Sequence, residues 1–420
     1  MKISNIKKVI LFASLGLVLL IAILILVLRG SIFADTFKTG DRYVFNKVVA
    51  STYDKQIRLM PNTHLGYYAN PVYILSEKSG TDTNSKIFEI VNNKTAYRST
   101  LSAKLTDLFF ASDVSTSGEN WIGFIANAKD LKLENVVTAS SLSAKWNYSP
   151  TIKKIICQNN ICPDNWDGNA RLFSKDSSKI DTVILNYPAD QPLITSDYFK
   201  KLISARGNGM TCAVSNMVTT QTHAFWGGEC PLDDAFVTYA PIIRDSRGYI
   251  TKIDYKQKRE IVDPKKDWSN RMVRQVLISG DKLIVSGEGW VGRTDVNGPG
   301  TNWDYPIWNP MTGGSEYIYA TNLIKASGLV LLSGFDKKDS EAILRVSKDN
   351  GAIFSSFDNL IAENIASQGV LKKNEKLSAV RDLYYNLSSG KVFINFKISN
   401  TTNSNIERFV TTSTNISSLK

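Results

Sequence analysis

Histidine is nearly absent from this 420-residue chain, which contains only His64 and His223. That shortage excludes His-rich metal centres, and neither residue accompanies a Gly-x-Ser-x-Gly elbow, so a Ser-His-Asp relay has no visible nucleophile. Long apolar runs are also scarce. Only residues 9–28 are long and apolar enough to span a bilayer, which excludes a multi-span helical membrane protein. Acidic residues are missing from the first 34 positions, and the chain has just four cysteines, too few for a small disulfide scaffold of this length. What the chain does have is 43% apolar, 21% charged and 10% aromatic residues. That is enough for a sizeable core, and it excludes a disordered tail or a collagen-like fibre.

Residues 9–28 are uncharged and mostly Leu, Ile and Val. A helix of about 20 residues matches the ~30 Å hydrocarbon core. Lys2, Lys7 and Lys8 precede the run, so the positive-inside rule places residues 1–8 in the cytoplasm and the chain beyond Arg29 outside. A cleaved signal peptide is the rival reading, with Ser-Ile-Phe-Ala at 31–34 as the cut. Its apolar region would exceed the usual ~7–15 residues, and Ile32 suits the site poorly. The expectation is a single-pass cell-membrane protein anchored through residues 9–28, followed by a linker over 29–44, with its bulk extracytoplasmic.

Setting aside those three lysines leaves 47 basic against 39 acidic residues, spread without a dense tract. The plain reading is a solvated, mildly basic surface; the sharper one is attraction to acidic envelope polymers. No basic helix or binding motif supports nucleic acid. Cys157, Cys162, Cys212 and Cys230 all lie in the exported part. Pairs Cys157–Cys162 and Cys212–Cys230, each closing a short loop, are preferred among three connectivities. Zinc is the alternative, but neither spacing is Cys-x-x-Cys.

Short runs rich in Val, Ile, Leu, Phe and Tyr recur at 236–243, 282–286, 329–333 and 391–398, bounded by Gly, Asn, Asp and Ser. They predict strands of a mostly antiparallel fold. Residues 195–206 are the best helix candidate, inside a cysteine-containing insertion near 195–232, and the Ser/Thr/Asn-rich end (401–420) predicts a final strand around 406–411 or a tail. A repeated pattern organises the rest. Val273-Arg-Gln-Val leads to Ser279-Gly280, Ala320-Thr-Asn-Leu to Ser327-Gly328, and Val380-Arg-Asp-Leu to Ser389-Gly390, each followed by a second apolar run. A looser copy surrounds Ser117-Gly118. Hairpins recurring at this spacing are the mark of propeller blades.

The segment from Gly334-Phe335 through Ala342-Ile-Leu-Arg345-Val to Asp349-Asn350-Gly351 and Phe357 resembles the delta-sixty repeat of bacterial β-propellers. Asn350, between Asp349 and Gly351, departs from that repeat. The resemblance is clear over about residues 316–396 and implies architecture rather than activity. The expected fold is all-β: a propeller of six to eight blades over 45–400 after one transmembrane helix, with a β-sandwich or two β-domains as the alternative.

Trp290, Trp303, Tyr305 and Trp308 fall within 19 residues, among Pro299, Pro306 and Pro310. This setting reads as a long loop, either plugging one end of the propeller or offering a sugar- or protein-binding patch. Asp295, Asn297, Asn302 and Asp304 alternate with glycines, which makes calcium the one candidate metal; an Asx-turn loop is the plain alternative. No other cofactor is indicated. Asp164, Asp167, Asp233, Asp234 and Glu288 are the carboxylates a glycan-cleaving enzyme could use. The leading expectation is an envelope binding or assembly module recognising a protein or surface glycan through loops. A polysaccharide-active enzyme and a secreted adhesin are the alternatives.

Overall fold

The computed structural model describes residues 42–49, 55–59, 70–79, 82–91, 94–110, 121–126, 133–150, 169–173, 182–186, 213–230, 234–244, 250–254, 257–263, 273–308, 318–336, 341–358, 371–402 and 406–419. Among these, 27 strands form seven antiparallel sheets. β1 (Arg42–Val49) comes first but belongs to the last sheet. The first sheet is β2 (Lys55–Leu59), β3 (Val72–Ser79), β4 (Asp82–Val91) and β5 (Lys94–Leu101). The second is β6 (Lys104–Phe110), β7 (Trp121–Ala126), β8 (Leu133–Ala139) and β9 (Asn147–Tyr148). The third pairs β10 (Asn169–Phe173) with β11 (Thr182–Asn186).

In the fourth sheet β12 (Ala213–Thr219), β13 (His223–Cys230), β14 (Asp234–Arg244) and β15 (Ile250–Ile253) follow in order, and β16 (Arg259–Glu260) also pairs with β14. The fifth is β17 (Val273–Ser279), β18 (Lys282–Gly287), β19 (Trp290–Asp295) and β20 (Asp304–Trp308). The sixth is β21 (Ile318–Ala326), β22 (Leu329–Asp336), β23 (Glu341–Ser347) and β24 (Ser355–Ser356). The seventh is β25 (Glu375–Asn386), β26 (Lys391–Asn400) and β27 (Ile406–Asn415), completed by β1 running antiparallel along β27 from Arg42 opposite Thr412 to Val49 opposite Ile406. The arrangement is β-propeller-like: four-stranded meanders in chain order, with one strand from the amino-terminal side closing the last.

Among the described residues, apolar packing joins the first sheet to the second and the seventh, and the fourth to seventh in succession, and this explains the apolar runs. Val330, Leu331 and Leu332 of β22 are all fully buried, because one face meets the fifth sheet and the other the seventh. A strand covered on both faces has no solvent side, so it reads as a continuous apolar run. Ile284 and Val291 pack with Ile318, Leu323 and Val330 across the fifth–sixth seam. Leu331 and Leu344 pack with Val392 and Ile394 across the sixth–seventh. Tyr73 and Leu75 meet Tyr384, Phe393 and Phe409, joining the first sheet to the seventh. The Ser-Gly pairs are the turns between first and second strands, where Gly280, Gly328 and Gly390 all have positive φ.

Five of the first strands share one further device. The pairing register skips a residue at Thr106 in β6, Ser215 in β12, Arg274 in β17, Thr321 in β21, and both Ser378 and Arg381 in β25. These are bulges, and Asp107, Asn216, Gln275, Asn322 and Asp382 follow them. Two of them reach the next sheet, whereas Asp382 Oδ2 accepts from Asn395 Nδ2 within its own sheet at 2.8 Å. Gln275 Oε1 accepts from Leu323 N of the next sheet at 2.5 Å, and Asn322 Nδ2 donates to Arg381 O of the sheet after at 3.1 Å. A bulge frees backbone groups from the ladder, and a buried free group is costly unless a partner reaches it. Opposite the β21 bulge stands Gly334, where an added Cβ would lie 1.9 Å from Tyr319 O. No other residue fits there.

The turn after β23 explains the departure at Asn350. Asn350 and Gly351 both take positive φ (54° and 82°), and the Ser279 hydroxyl donates to Asn350 Oδ1 at 2.8 Å, tying the turn to the first hairpin of the fifth sheet. Asp349 Oδ1 accepts from Ser347 Oγ, Ala352 N and Ile353 N. Burial, the largest single effect, pushes its carboxyl up, but the Ser347 hydroxyl and the two N–H groups outweigh it and leave it below the usual carboxylate range. In the seventh sheet Arg408 grips Glu375 with two hydrogen bonds, at 3.0 and 2.5 Å, and both side chains are under a tenth exposed. The Arg408 guanidinium holds the Glu375 carboxyl below its ordinary range, aided by Lys372 N–H against the opposing effect of burial.

Several expectations fall outside the described residues: the apolar run 9–28, the helix over 195–206, the Ser117-Gly118 turn, and Cys157, Cys162 and Cys212. Cys230 ends β13 opposite Asp234. Among the described residues no helix is long and apolar enough to cross a membrane, and a 3-10 turn at Ile416–Leu419 follows β27. The described part of the expected insertion, 213–230, supplies β12 and β13 of a regular sheet.

Gly334→Ala is expected to lose about 3 kcal/mol of stability through backbone clash. Gly390→Ala, with positive φ but nothing within 4 Å, loses about 1 kcal/mol. Urea unfolding of the purified protein separates the two. Glu375 has a depressed folded pKa, so its contribution is complete above the unfolded value of about 4.3 and disappears as pH falls through the folded value. Glu375→Gln is therefore expected to cost several kcal/mol at neutral pH, on the order of 3, with the gap to the parent closing in unfolding curves below about pH 4.

Candidate functional site

The four aromatic residues do come together, but on a hairpin rather than a long loop. Trp290 opens β19 and stands opposite Trp308 of β20. The register slips between Val291 and Arg293, so Gly292 faces a bulge that accommodates Pro306 on the outermost strand. Proline lacks a ladder donor and is tolerated at such an edge bulge, which is why its presence here did not break the strand. Tyr305 is the hub: Trp303 stacks on it at 5.7 Å and 15°, Trp308 meets it edge-on at 4.8 Å, and Trp290 lies tilted at 6.3 Å. Gly292 leaves the space they need, since a Cβ there would sit 3.0 Å from both Trp303 and Tyr305.

Packing is the first role of this cluster. Trp290 is only 1% exposed, inside a core with Phe225, Val237 and Ile261 of the fourth sheet and its tail. Trp303 Nε1 donates to Val262 O at 3.2 Å, and Tyr305 OH donates to Asp263 Oδ2 at 2.7 Å. The aromatics therefore wedge the fourth and fifth sheets together. Trp303, Tyr305 and Trp308 are half-buried, and Trp303 lines an adjoining space.

That space is a cleft of about 350 Å³ lined by Asp263, Lys282, Arg293, Thr294, Gly300, Thr301, Asn302, Trp303 and Asp304. It lies where the β19–β20 loop leans on the chain after β16. Lys282 pairs with Asp295, one residue pair along the β18–β19 ladder. Arg293 pairs with Asp304 at 2.9 Å and also donates to Asp349 O of the sixth sheet. The Lys282 ammonium, then the Asn302 amide, hold the Asp295 carboxyl below its ordinary range. The loop is tied by Gly300 N to Thr294 Oγ1 at 2.9 Å and by Thr301 Oγ1 to Gly298 O at 2.7 Å.

The residues read as calcium ligands lie on this same loop. Asp295 and Asp304 are held by Lys282 and Arg293, Asn302 turns its amide nitrogen towards Asp295 at 3.5 Å, and Asn297 is exposed. A cation there would compete with the Lys282 ammonium and the Arg293 guanidinium. Among the described residues no three His, Cys, Asp or Glu side chains converge on a metal-sized space. Of the proposed catalytic carboxylates, Glu288 is taken by Arg274 at 2.6 Å, whose guanidinium lies 4.3 Å from the centre of the Tyr319 ring. Asp164, Asp167 and Asp233 lie outside the described residues, and Asp234 begins β14. His223 opens β13 beside Tyr239, with its Nδ1 2.9 Å from Thr222 Oγ1. Lys282 and Arg293 were missed from sequence. Their signal, a basic residue directly across a hairpin from an acidic one, appears only once the register is known.

No family model and no curated protein matches the chain. Solved structures of similar chain path include a prolyl endopeptidase (10% identity, 88% of this chain and 51% of that one, TM-score 0.42). An extracellular domain from B. thetaiotaomicron is similar at 9% identity over 86% of this chain and 44% of that one, with TM-score 0.38. The β-propeller domain of the Trilobed protease from Pyrococcus furiosus is similar at 12% identity over 81% and 82%, with TM-score 0.28. The chain spans about half the length of the first two.

Trp290→Ala is expected to cost about 3–5 kcal/mol, because it empties the seam between sheets. Asn302→Ala, exposed at the rim, stays within about 0.5 kcal/mol. Thermal and urea unfolding of the two variants checks the division between wedge and rim.

Proposed function

We propose that this chain is a membrane-anchored binding module of the cell envelope, held outside the membrane and shaped as a closed seven-bladed propeller. One observation carries the reading. Successive first strands lie side by side from β12 to β17, β21 and β25, and β25 then meets β2, so the seventh sheet returns to the first. The proximity of β6 to β4 and β10, and of β11 to β12, supports closure in this reading. A ring with no free end is the stable solution for meanders that are apolar on both faces. The repeat seen in residues 316–396, similar to delta-sixty propellers, belongs to the same reading.

Anchoring rests on residues 9–28 and the lysines before them. Binding, in this reading, uses the loops of the face that carries the Ser-Gly turns and the β19–β20 loop, where the described cleft lies. A protein of the envelope or a surface glycan is the partner. Rigid sheets with variable loops at their ends are the usual division between scaffold and recognition.

Membrane fractions of cells making the full chain test the proposal. The protein is expected to resist alkaline carbonate extraction, and protease added to intact cells or spheroplasts is expected to remove its bulk. A shortened, freely secreted chain would overturn the anchor, and protection from external protease would overturn the orientation.

A further inference from the structure

The geometry points to the cleft beside Trp303 as a saccharide subsite that takes a neutral, hydroxyl-rich sugar. This inference rests on the binding-module reading and names the ligand class of its cleft. A volume of about 350 Å³ lies at the lower end for small-ligand sites, suited to a short oligosaccharide end rather than a protein surface. A protein hot spot would instead need a desolvated apolar pocket, whereas Lys282, Arg293, Thr301, Asn302, Asp263 and Asp304 line this one.

Charge decides the class. Lys282 is held by Asp295 and Arg293 by Asp304, while Asp263 accepts from Tyr305 OH. An anionic ligand would have to take a cation from its carboxylate, and a cationic one the reverse, so either gains little net Coulomb energy. A sugar hydroxyl is both donor and acceptor, and it can add to paired ionic groups without separating them. Hydrogen bonds to such ionised groups are the stronger kind. Because the partners fix the side chains beforehand, little ordering is left to be done on binding.

Trp303 supplies the apolar side. Its indole is clamped by Tyr305 and by the bond to Val262 O, giving a rigid amphipathic surface of the sort that receives the C–H face of a sugar ring. The loop that carries Asn302 is itself tied by Thr294 and Gly298. Aromatic surface, donors and acceptors thus stand around one space before any ligand arrives.

The test uses the full chain in lipid nanodiscs free of sugar-headed detergent, titrated by calorimetry with three probes: a neutral hexose oligomer series, uronic-acid oligosaccharides and polyol-phosphate polymer. Expected is saturable binding of a neutral oligomer with weak salt dependence, weakened about tenfold or more by Arg293→Ala and by Asn302→Ala. Melting curves of Asn302→Ala unchanged from the parent show that the loss is not unfolding. Binding confined to the acidic probes, or binding that survives both substitutions, would overturn the assignment. So would the absence of any neutral binding at millimolar concentration. Those failures are separate from the module reading, which stands or falls on the fractionation and protease result.

Discussion

The residue skipped in the first strands of five sheets, β6, β12, β17, β21 and β25, is the constraint on which the rest of the molecule depends. An ordinary strand satisfies its backbone within its own sheet and has nothing to offer a neighbour. Bulges at Arg274, Thr321 and Arg381 free backbone groups at one level of three successive sheets. Gln275 and Asn322 then carry hydrogen bonds from one sheet to the backbone of the next. Apolar packing between sheets is non-directional and would tolerate sliding; these bonds set the level at which the sheets meet. Gly334 is the counterpart, since its missing Cβ lets Tyr319 O approach.

With the level set, loops of adjacent sheets come into contact and acquire chemistry. Asn350 meets Ser279, Arg293 meets Asp349, and Trp303 meets Val262, each across a seam. The cleft is a product of such a meeting, because Asp263 comes from the fourth sheet's tail and the remaining lining from the fifth sheet. Its electrostatics follow from hairpin register. Lys282 opposite Asp295, and Arg293 opposite Asp304, are cross-strand partners, so the charges neutralise each other and stay directional.

Strand runs and turns were legible in the sequence because they obey local rules. The runs near 282, 329 and 391 match β18, β22 and β26, and the Ser-Gly pairs are the turns before them. The polar pairs Arg-Gln, Thr-Asn and Arg-Asp stood in view within the repeats, but a bulge depends on pairing with another strand and leaves no mark in one run alone. Trp290 to Trp308 misled for a related reason. Three prolines imply a loop until Pro306 is seen at an outermost strand whose partner tolerates a bulge.

By itself, the sequence determined the all-β class, the hairpin turns, the apolar anchor candidate and the scarcity of histidine, since composition, periodicity and turn preference act over a few residues. Only the tertiary structure decided that β1 completes the sheet of β27, that the aromatics wedge two sheets, and that Asp295 and Asp304 of the β19–β20 hairpin pair with Lys282 and Arg293. Those outcomes depend on which distant residues face each other, and facing is set by register and by seams between sheets, which no local pattern encodes.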